Sequence, residues 1–353
     1  GRSAGRIAGA ARTRRRRSDG AALTEEQLIA GIRAIVESPD RAGAGRIVIG
    51  IGDDGAVWRP SRSHLSVVTT DALVDGVHFV RAAMAAADIG YRAMASNLSD
   101  AAAMGARPVL ATVALGVPRD ATEAWLLECY RGLDAAASEA RCRIVGGDIV
   151  RADQLFVAIT VIGEVAAPRL RTRDGVRVGD VWALTGPLGA SRAGLATFES
   201  EPAVDSATKV AVRRAYLRPR ARVAEGRWLA ASTHVHAMMD VSDGLAIDLA
   251  RMARASGCGA VLERVPIDPA AAVVAAALGA DPAAFGLAGG EEFELLVAVA
   301  NRSFDYLAAR FAQRFGQPLI RVGRAVAGSE LALLDAAGVA RPLEPAGWDH
   351  LRD

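Results

Sequence analysis

Gly50-Ile51-Gly52-Asp53-Asp54-Gly55-Ala56-Val57-Trp58-Arg59-Pro60 is the stretch on which the fold turns. It matches G-x-G-x-x-G after a short β-branched run at 46–51, and Asp71 follows near the distance expected of a ribose-binding acid. A pattern match alone therefore spells a dinucleotide fold. That fold needs a helix directly after the glycines, because the helix N-terminus receives the pyrophosphate. Here the chain continues as Ala56-Val57-Trp58 and turns at Pro60, and two adjacent carboxylates would repel a bare pyrophosphate. The dinucleotide reading fails, and the carboxylates become the feature to explain.

Outward from this stretch the same punctuation recurs. Asp53, Asp54, Asp71, Asp100, Asp148, Asp240 and Asp243 all follow apolar runs, several beside glycines. Singly, each is also what a helix cap or turn uses. Brought together, such carboxylates would repel and would need cations. With no His or Cys cluster beside them, the hard oxygen donors point to Mg²⁺ shared with substrate phosphates.

The periodicity predicts a helix opening at Thr24, which resembles a capping box with Gln27, and then strands at 46–51 and 65–70. Helices are expected at 85–104 and 122–140, and strands at 109–116, 143–145 and 154–165. The Arg/Gly-rich segment 169–179 reads as a boundary. Beyond it the pattern predicts strands at 181–185, 237–241, 293–299 and 319–322, and helices at 245–256 and 304–315. Alternating elements in both halves imply two layered α/β domains. The expected division is a basic tail at 1–20, a first domain at 21–166 and a second at 167–353.

The chain has 353 residues, enough for two hydrophobic cores, and its net charge of +2 is misleading. Seven Arg and no acid lie within 1–17, leaving 35 basic and 40 acidic residues beyond, a net of −5. The tail has no apolar periodicity and reads as a solvated extension. Aromatics make up only 5%, which argues against base stacking and nucleic-acid binding. Lys209 is the single lysine, which excludes P-loop and protein-kinase machinery, and G-x-S-x-G is absent. Three separated cysteines, Cys129, Cys142 and Cys258, suit reduced core thiols in a cytoplasmic protein. No apolar run reaches the roughly 20 residues of a membrane span.

Seven ordered motifs resemble the thiamine-monophosphate kinase family: Gly50-Ile51-Gly52-Asp53-Asp54, the run 70–79 from Thr70 to Phe79, Asn97-Leu98-Ser99-Asp100, Gly146-Gly147-Asp148, Asp240-Val241-Ser242-Asp243-Gly244, Gly289-Gly290-Glu291-Glu292-Phe293 and Gly347-Trp348-Asp349-His350. The Asp-rich motifs are shared with a wider superfamily of ATP-dependent enzymes; His78 and the closing Gly-Trp-Asp-His carry the narrower likeness. The resemblance implies that Asp54, Thr69, Thr70, Asp71, Asp100, Asp148, Asp240 and Asp243 hold Mg²⁺, with Asp71 and Asp148 acting catalytically through metal. It implies that Gly147, Asp148, Arg173 and Ser242 contact ATP, and that His78, Glu291 and Trp348 contact thiamine monophosphate. It also implies a homodimer formed through the N-terminal sheet. Ala72, Asp75 and Glu292-Phe293 depart conservatively from the family pattern.

Bland alternatives stand beside these roles. His78 could be an ordinary half-buried histidine, Trp348 a core aromatic, and Arg169, Arg171 and Arg173 merely solvated. Two other functions remain compatible with the sequence. One is another enzyme of the superfamily, although the Cys or selenocysteine of selenophosphate synthetases and the C-terminal Cys of a hydrogenase maturation factor have no counterpart before Cys129 or after Cys258. The other is a nucleotide-binding regulator without catalysis.

Overall fold

The β-branched run beginning at Leu65 continues through Thr70 and Asp71 to Val74, so these two residues lie within a strand and not at its end. The computed structural model describes residues 25–37, 46–51 and 56–347. The basic tail, the Thr24 cap, Asp53, Asp54 and Trp348 lie outside the described residues.

The first half contains α1 (Glu25–Val36), β1 (Ile47–Ile49), β2 (Val57–Trp58), β3 (Leu65–Val74), α2 (Ala86–Ala103), β4 (Arg107–Val117), α3 (Glu123–Glu139), β5 (Arg143–Arg151) and β6 (Phe156–Val165). Among the described residues β3 to β6 form a mixed four-stranded sheet in the order β3-β6-β4-β5. β4 and β5 run parallel and the other pairs antiparallel. Helices α2 and α3 lie together, with Gly90 and Gly132 at the contact: a Cβ on Gly90 would sit 2.0 Å from the Cys129 carbonyl oxygen. Their apolar residues and the inward side chains Val113, Ile159 and Val161 make one core.

β5 does not stop at Gly146, as its glycines suggest, but carries Gly146-Gly147-Asp148 inside the strand. The reason is close packing. A Cβ on Gly147 would stand 1.9 Å from the Val113 carbonyl oxygen, so glycine is what the β4–β5 pairing requires.

The second half contains β7 (Val181–Leu184), α4 (Ala190–Glu199), α5 (Ser206–Leu217), α6 (Val223–Ala230), β8 (Val235–Asp240), α7 (Leu245–Ala255), β9 (Gly259–Leu262), α8 (Pro269–Ala277), α9 (Pro282–Ala288), β10 (Leu295–Val299), α10 (Phe304–Phe315), β11 (Ile320–Val326), β12 (Leu331–Leu334) and β13 (Ala340–Pro342). Its described strands form a sheet ordered β13-β12-β9-β11-β7-β10-β8, antiparallel except for β9 beside β12. Leu245, Leu249 and Met252 of α7 cover one face, packing on Trp182, Met239 and Leu296. Phe304, Leu307 and Phe311 of α10 cover the other, where Ala102 and Ala103 of α2 also enter. The fold is the expected layered α/β arrangement with a C-terminal sandwich. Among the described residues no single helix is long and apolar enough to cross a membrane.

Candidate active site

Helix α2 organises the site because it is buried on nearly every side, touching β3, β6 and α3 of the first unit and α6 and β8 of the second. A helix in that position is expected to be apolar all round. Arg92, Ser96 and Asp100 break the pattern at every fourth residue, and all three line one cavity of about 1060 Å³. The cavity also takes Thr70 and Asp71 from β3, His78 from the following turn, Asp240 from the end of β8, Ser242 and Asp243 beyond it, and Glu291 before β10. Residues scattered over more than 200 positions of sequence thus meet between the two units.

One end is acidic. Thr69 Oγ1 donates to Asp100 Oδ2, and Ser99 Oγ donates to Asp240 Oδ2 at 2.7 Å. Burial raises the pKa of Asp100, opposed by the Thr69 bond, reinforced by Asp71 and eased by nearby Arg173. Burial and the neighbouring Asp100 charge push Asp240 up to about 8, against the Ser99 bond. Buried carboxylates that oppose each other's ionisation are the arrangement a hard cation relieves. The donors are oxygen alone, which fits Mg²⁺. Among the described residues no three acidic or histidine side chains converge on a single point. A cation here would complete its shell with phosphate or water oxygens, as Mg²⁺ commonly does.

The segment after β8 is held from below. Asp248 Oδ2 accepts backbone N–H groups from Ser242, Asp243 and Gly244 at 3.1, 3.0 and 3.2 Å. Burial lifts Asp248 to about 6. Arg251 pairs with both Asp243 and Asp248.

At the other end, His78 Nδ1 accepts the Val74 N–H at 3.1 Å, which fixes the ring, and Tyr216 Oη donates to the His78 carbonyl at 3.4 Å. Glu291 has a left-handed φ of 59° and pairs with Arg92. The loop is laced to the second sheet by Glu291 N–H to Ser242 O at 2.6 Å and Phe293 N–H to Val241 O at 2.9 Å.

Gly147 and Asp148 do not reach this cavity. Strand register puts Asp71 level with Ile159, Val113 and Gly147, on the helix-covered face, and places Asp148 beside Ala114 on the opposite face. Arg171 is a joint: its guanidinium donates to the carbonyls of Pro168, Leu170 and Ser232. Arg92, Ser99, Tyr216, Asp248 and Arg251 are the contributors that sequence reasoning missed. The four-residue spacing of Arg92, Ser96 and Asp100 within an otherwise largely apolar helix was a readable signal. Nothing in the sequence pointed to Tyr216.

Residues 52–165 match the AIR synthase related protein, N-terminal domain, and residues 177–335 match the AIR synthase related protein, C-terminal domain. A thiamine-monophosphate kinase of Rhodopirellula baltica is 36% identical over 315 residues, covering 86% of this chain and 92% of that protein. The chain belongs to the thiamine-monophosphate kinase family. Two solved structures agree with that placement. The crystal structure of thiamine-monophosphate kinase from Stenotrophomonas maltophilia K279a superposes with a TM-score of 0.77 at 35% identity, over 89% of this chain and 96% of that one. AaThiL complexed with AMPPCP and TMP gives 0.73 at 28% identity, over 92% and 96%.

Proposed function

We propose that this chain transfers the γ-phosphoryl group of ATP to thiamine monophosphate, giving ADP and thiamine diphosphate. One observation carries the reading: a single cavity joins an acidic end at Asp71, Asp100 and Asp240 to a second end at His78 and Glu291. The likeness to AaThiL, solved with AMPPCP and TMP, supplies the nucleotide and acceptor that suit those two ends.

The acceptor is already an anionic phosphate, so the reaction needs no strong general base. The protein's task is to hold two phosphates in line despite their repulsion. We assign Asp54, Thr69, Thr70, Asp71, Asp100, Asp148, Asp240 and Asp243 to Mg²⁺, which when bound would neutralise phosphate charge. Thr69 and Ser99 aim the Asp100 and Asp240 carboxylates. Arg173 adds positive charge beside Asp100. Asp248 fixes the backbone that presents Ser242. Gly147, Asp148, Arg173 and Ser242 are assigned to ATP, and His78, Glu291 and Trp348 to thiamine monophosphate. Transfer is direct, from ATP to the acceptor phosphate.

A second copy of the chain completes the site in this reading. Val68 and Val150 are 64% and 42% exposed on the face of the N-terminal sheet that bears Asp148, a surface that a stacked second sheet would cover. The same stacking would carry Asp148 of one copy toward the open face of the other copy's sheet, which bears Thr70 next to Asp71 in the strand. The reduced, buried thiols of Cys129, Cys142 and Cys258 suit the cytoplasm.

The test is ADP release from ATP and Mg²⁺ with thiamine monophosphate, thiamine, an aminoimidazole precursor or selenide as acceptor, with products separated by chromatography. Thiamine diphosphate in step with ADP, from the monophosphate alone, is the expected result. ADP formed with another acceptor moves the enzyme elsewhere in its superfamily, and ATP binding without turnover supports a regulator.

A further inference from the structure

We propose that Arg92 is a positioning residue that sets the substrate end of the cavity by tying Glu291 and the Tyr216–His78 wall to helix α2. This rests on the reading of His78 and Glu291 as contacts to thiamine monophosphate. Arg92 is wholly buried, yet it belongs to the first unit and its partners do not. One arm of its guanidinium pairs with Glu291 and another donates to the Tyr216 carbonyl. Its Cζ lies over the Tyr216 ring, 4.0 Å from the centroid, and the Tyr216 hydroxyl donates to the His78 carbonyl at 3.4 Å. A single cation therefore reaches both walls.

As a stabilising ion pair this arrangement is poor. The Arg92 Nε–H has no hydrogen-bond partner among the described residues, and a half-satisfied buried cation costs stability. Glu291 adds to the cost, because a left-handed φ of 59° is unfavourable for a residue with a Cβ. Strain of that kind persists where the surroundings over-determine it. Here the backbone anchor is the Ser242 carbonyl, and the side-chain anchor is Arg92.

Arg92 and Asp100 also share one helix face, eight residues apart, which fixes about 12 Å between them at 1.5 Å per residue. Helix α2 thus acts as a ruler between the phosphate end and Glu291. Removing Arg92 frees Glu291 from that ruler without touching the acidic end.

The test is a double-mutant cycle on the full chain with Arg92→Met, Arg92→Lys, Glu291→Gln and Arg92→Met/Glu291→Gln, reading both KM values, kcat and Tm. Arg92→Met should raise KM for thiamine monophosphate roughly 10- to 100-fold, as expected for loss of hydrogen bonds to a charged group, while KM for ATP stays within about twofold. Arg92→Lys keeps the charge but not the fork, and should recover part of the loss. In the Glu291→Gln background, Arg92→Met should add less than about threefold, because the two residues act as one unit. Independent, multiplicative effects overturn the proposal, as does an equal rise in both KM values. Should Arg92→Met not fold, an unchanged KM for thiamine monophosphate in Arg92→Lys overturns it. A wild-type protein that does not phosphorylate thiamine monophosphate sinks the functional reading and this proposal together. An active wild type with multiplicative variants sinks this proposal alone.

Discussion

Asp71 and Asp148 stand on opposite edge strands of the N-terminal sheet and on opposite faces of it. With two strands between them, their backbones are about 14 Å apart, or three strand spacings. One chain cannot close both carboxylates on the same phosphate group. In a composite site built from two copies, Asp71→Asn and Asp148→Asn each lower kcat on the order of 10²- to 10³-fold. Equal mixing of the two inactive variants with subunit exchange should then restore about a quarter of wild-type activity, because half the dimers are mixed and each carries one intact site. No recovery on mixing would show that each site is built within one chain.

Asp240 tests the acidic end. Its carboxylate is buried beside Asp100, and each opposes the other's ionisation. Asp240→Asn keeps a hydrogen-bonding partner for Ser99 and removes the cost of protonating or burying a carboxylate on folding near neutral pH, so the metal-free protein should melt a few degrees higher, roughly the shift that 1 kcal/mol produces. The rise in Tm on adding Mg²⁺ and ATP should disappear in the same variant. A lower metal-free Tm with the ligand-induced rise retained would contradict the assignment.

Glu164 anchors the ribbon of β1 and β2 that brackets residues 52–55. It accepts from Arg46 at 2.9 and 2.5 Å, from Arg107 at 2.9 Å, and from the Ser61 N–H and hydroxyl at 2.9 and 2.8 Å. The Arg46 bonds hold its pKa down, at about 2 against an ordinary 4.5. A depressed acid contributes stability that is full above its unfolded pKa and lost as pH falls through the folded one. Glu164→Gln should therefore cost about 2–3 kcal/mol near neutral pH, with the difference shrinking between about pH 4.5 and pH 2. Urea unfolding of both proteins at neutral and acid pH reads this directly. A cost that does not change with pH would mean that packing, not charge, holds the ribbon.

How far these relationships could be read beforehand differed by element. Helix α2 was legible because helical spacing with few breakers marks it, Gly90 being the single glycine within it, and the start of α3 because Thr122 caps it: its hydroxyl accepts the Trp125 N–H at 3.3 Å. β5 was cut short because Gly146 and Gly147 look like a turn, whereas in the sheet Gly147 answers a steric demand from Val113. Helices α4 and α5, from which Tyr216 reaches the site, fell in a stretch read as neither helix nor strand. The acidic residues were found by their recurrence after apolar runs. Their division between two sheet faces was not legible, because strand order and register follow from long-range pairing that no local pattern encodes.

Gly147 gives a further test of that register. Gly147→Ala would press a Cβ against the Val113 carbonyl, 1.9 Å away without relaxation. Strain of this type costs typically 1–3 kcal/mol and would shift the neighbouring Asp148. The variant should melt lower and lose ATP affinity more than affinity for thiamine monophosphate. Wild-type stability in Gly147→Ala would show that β4 and β5 are not paired as described.

Direct phosphoryl transfer is tested by a single turnover with γ-labelled ATP, Mg²⁺ and thiamine monophosphate, quenched over time. Label should pass from ATP to thiamine diphosphate in one step, equimolar with ADP, with none held on the protein. Label trapped on the protein before product forms, or released only as inorganic phosphate, would contradict direct transfer.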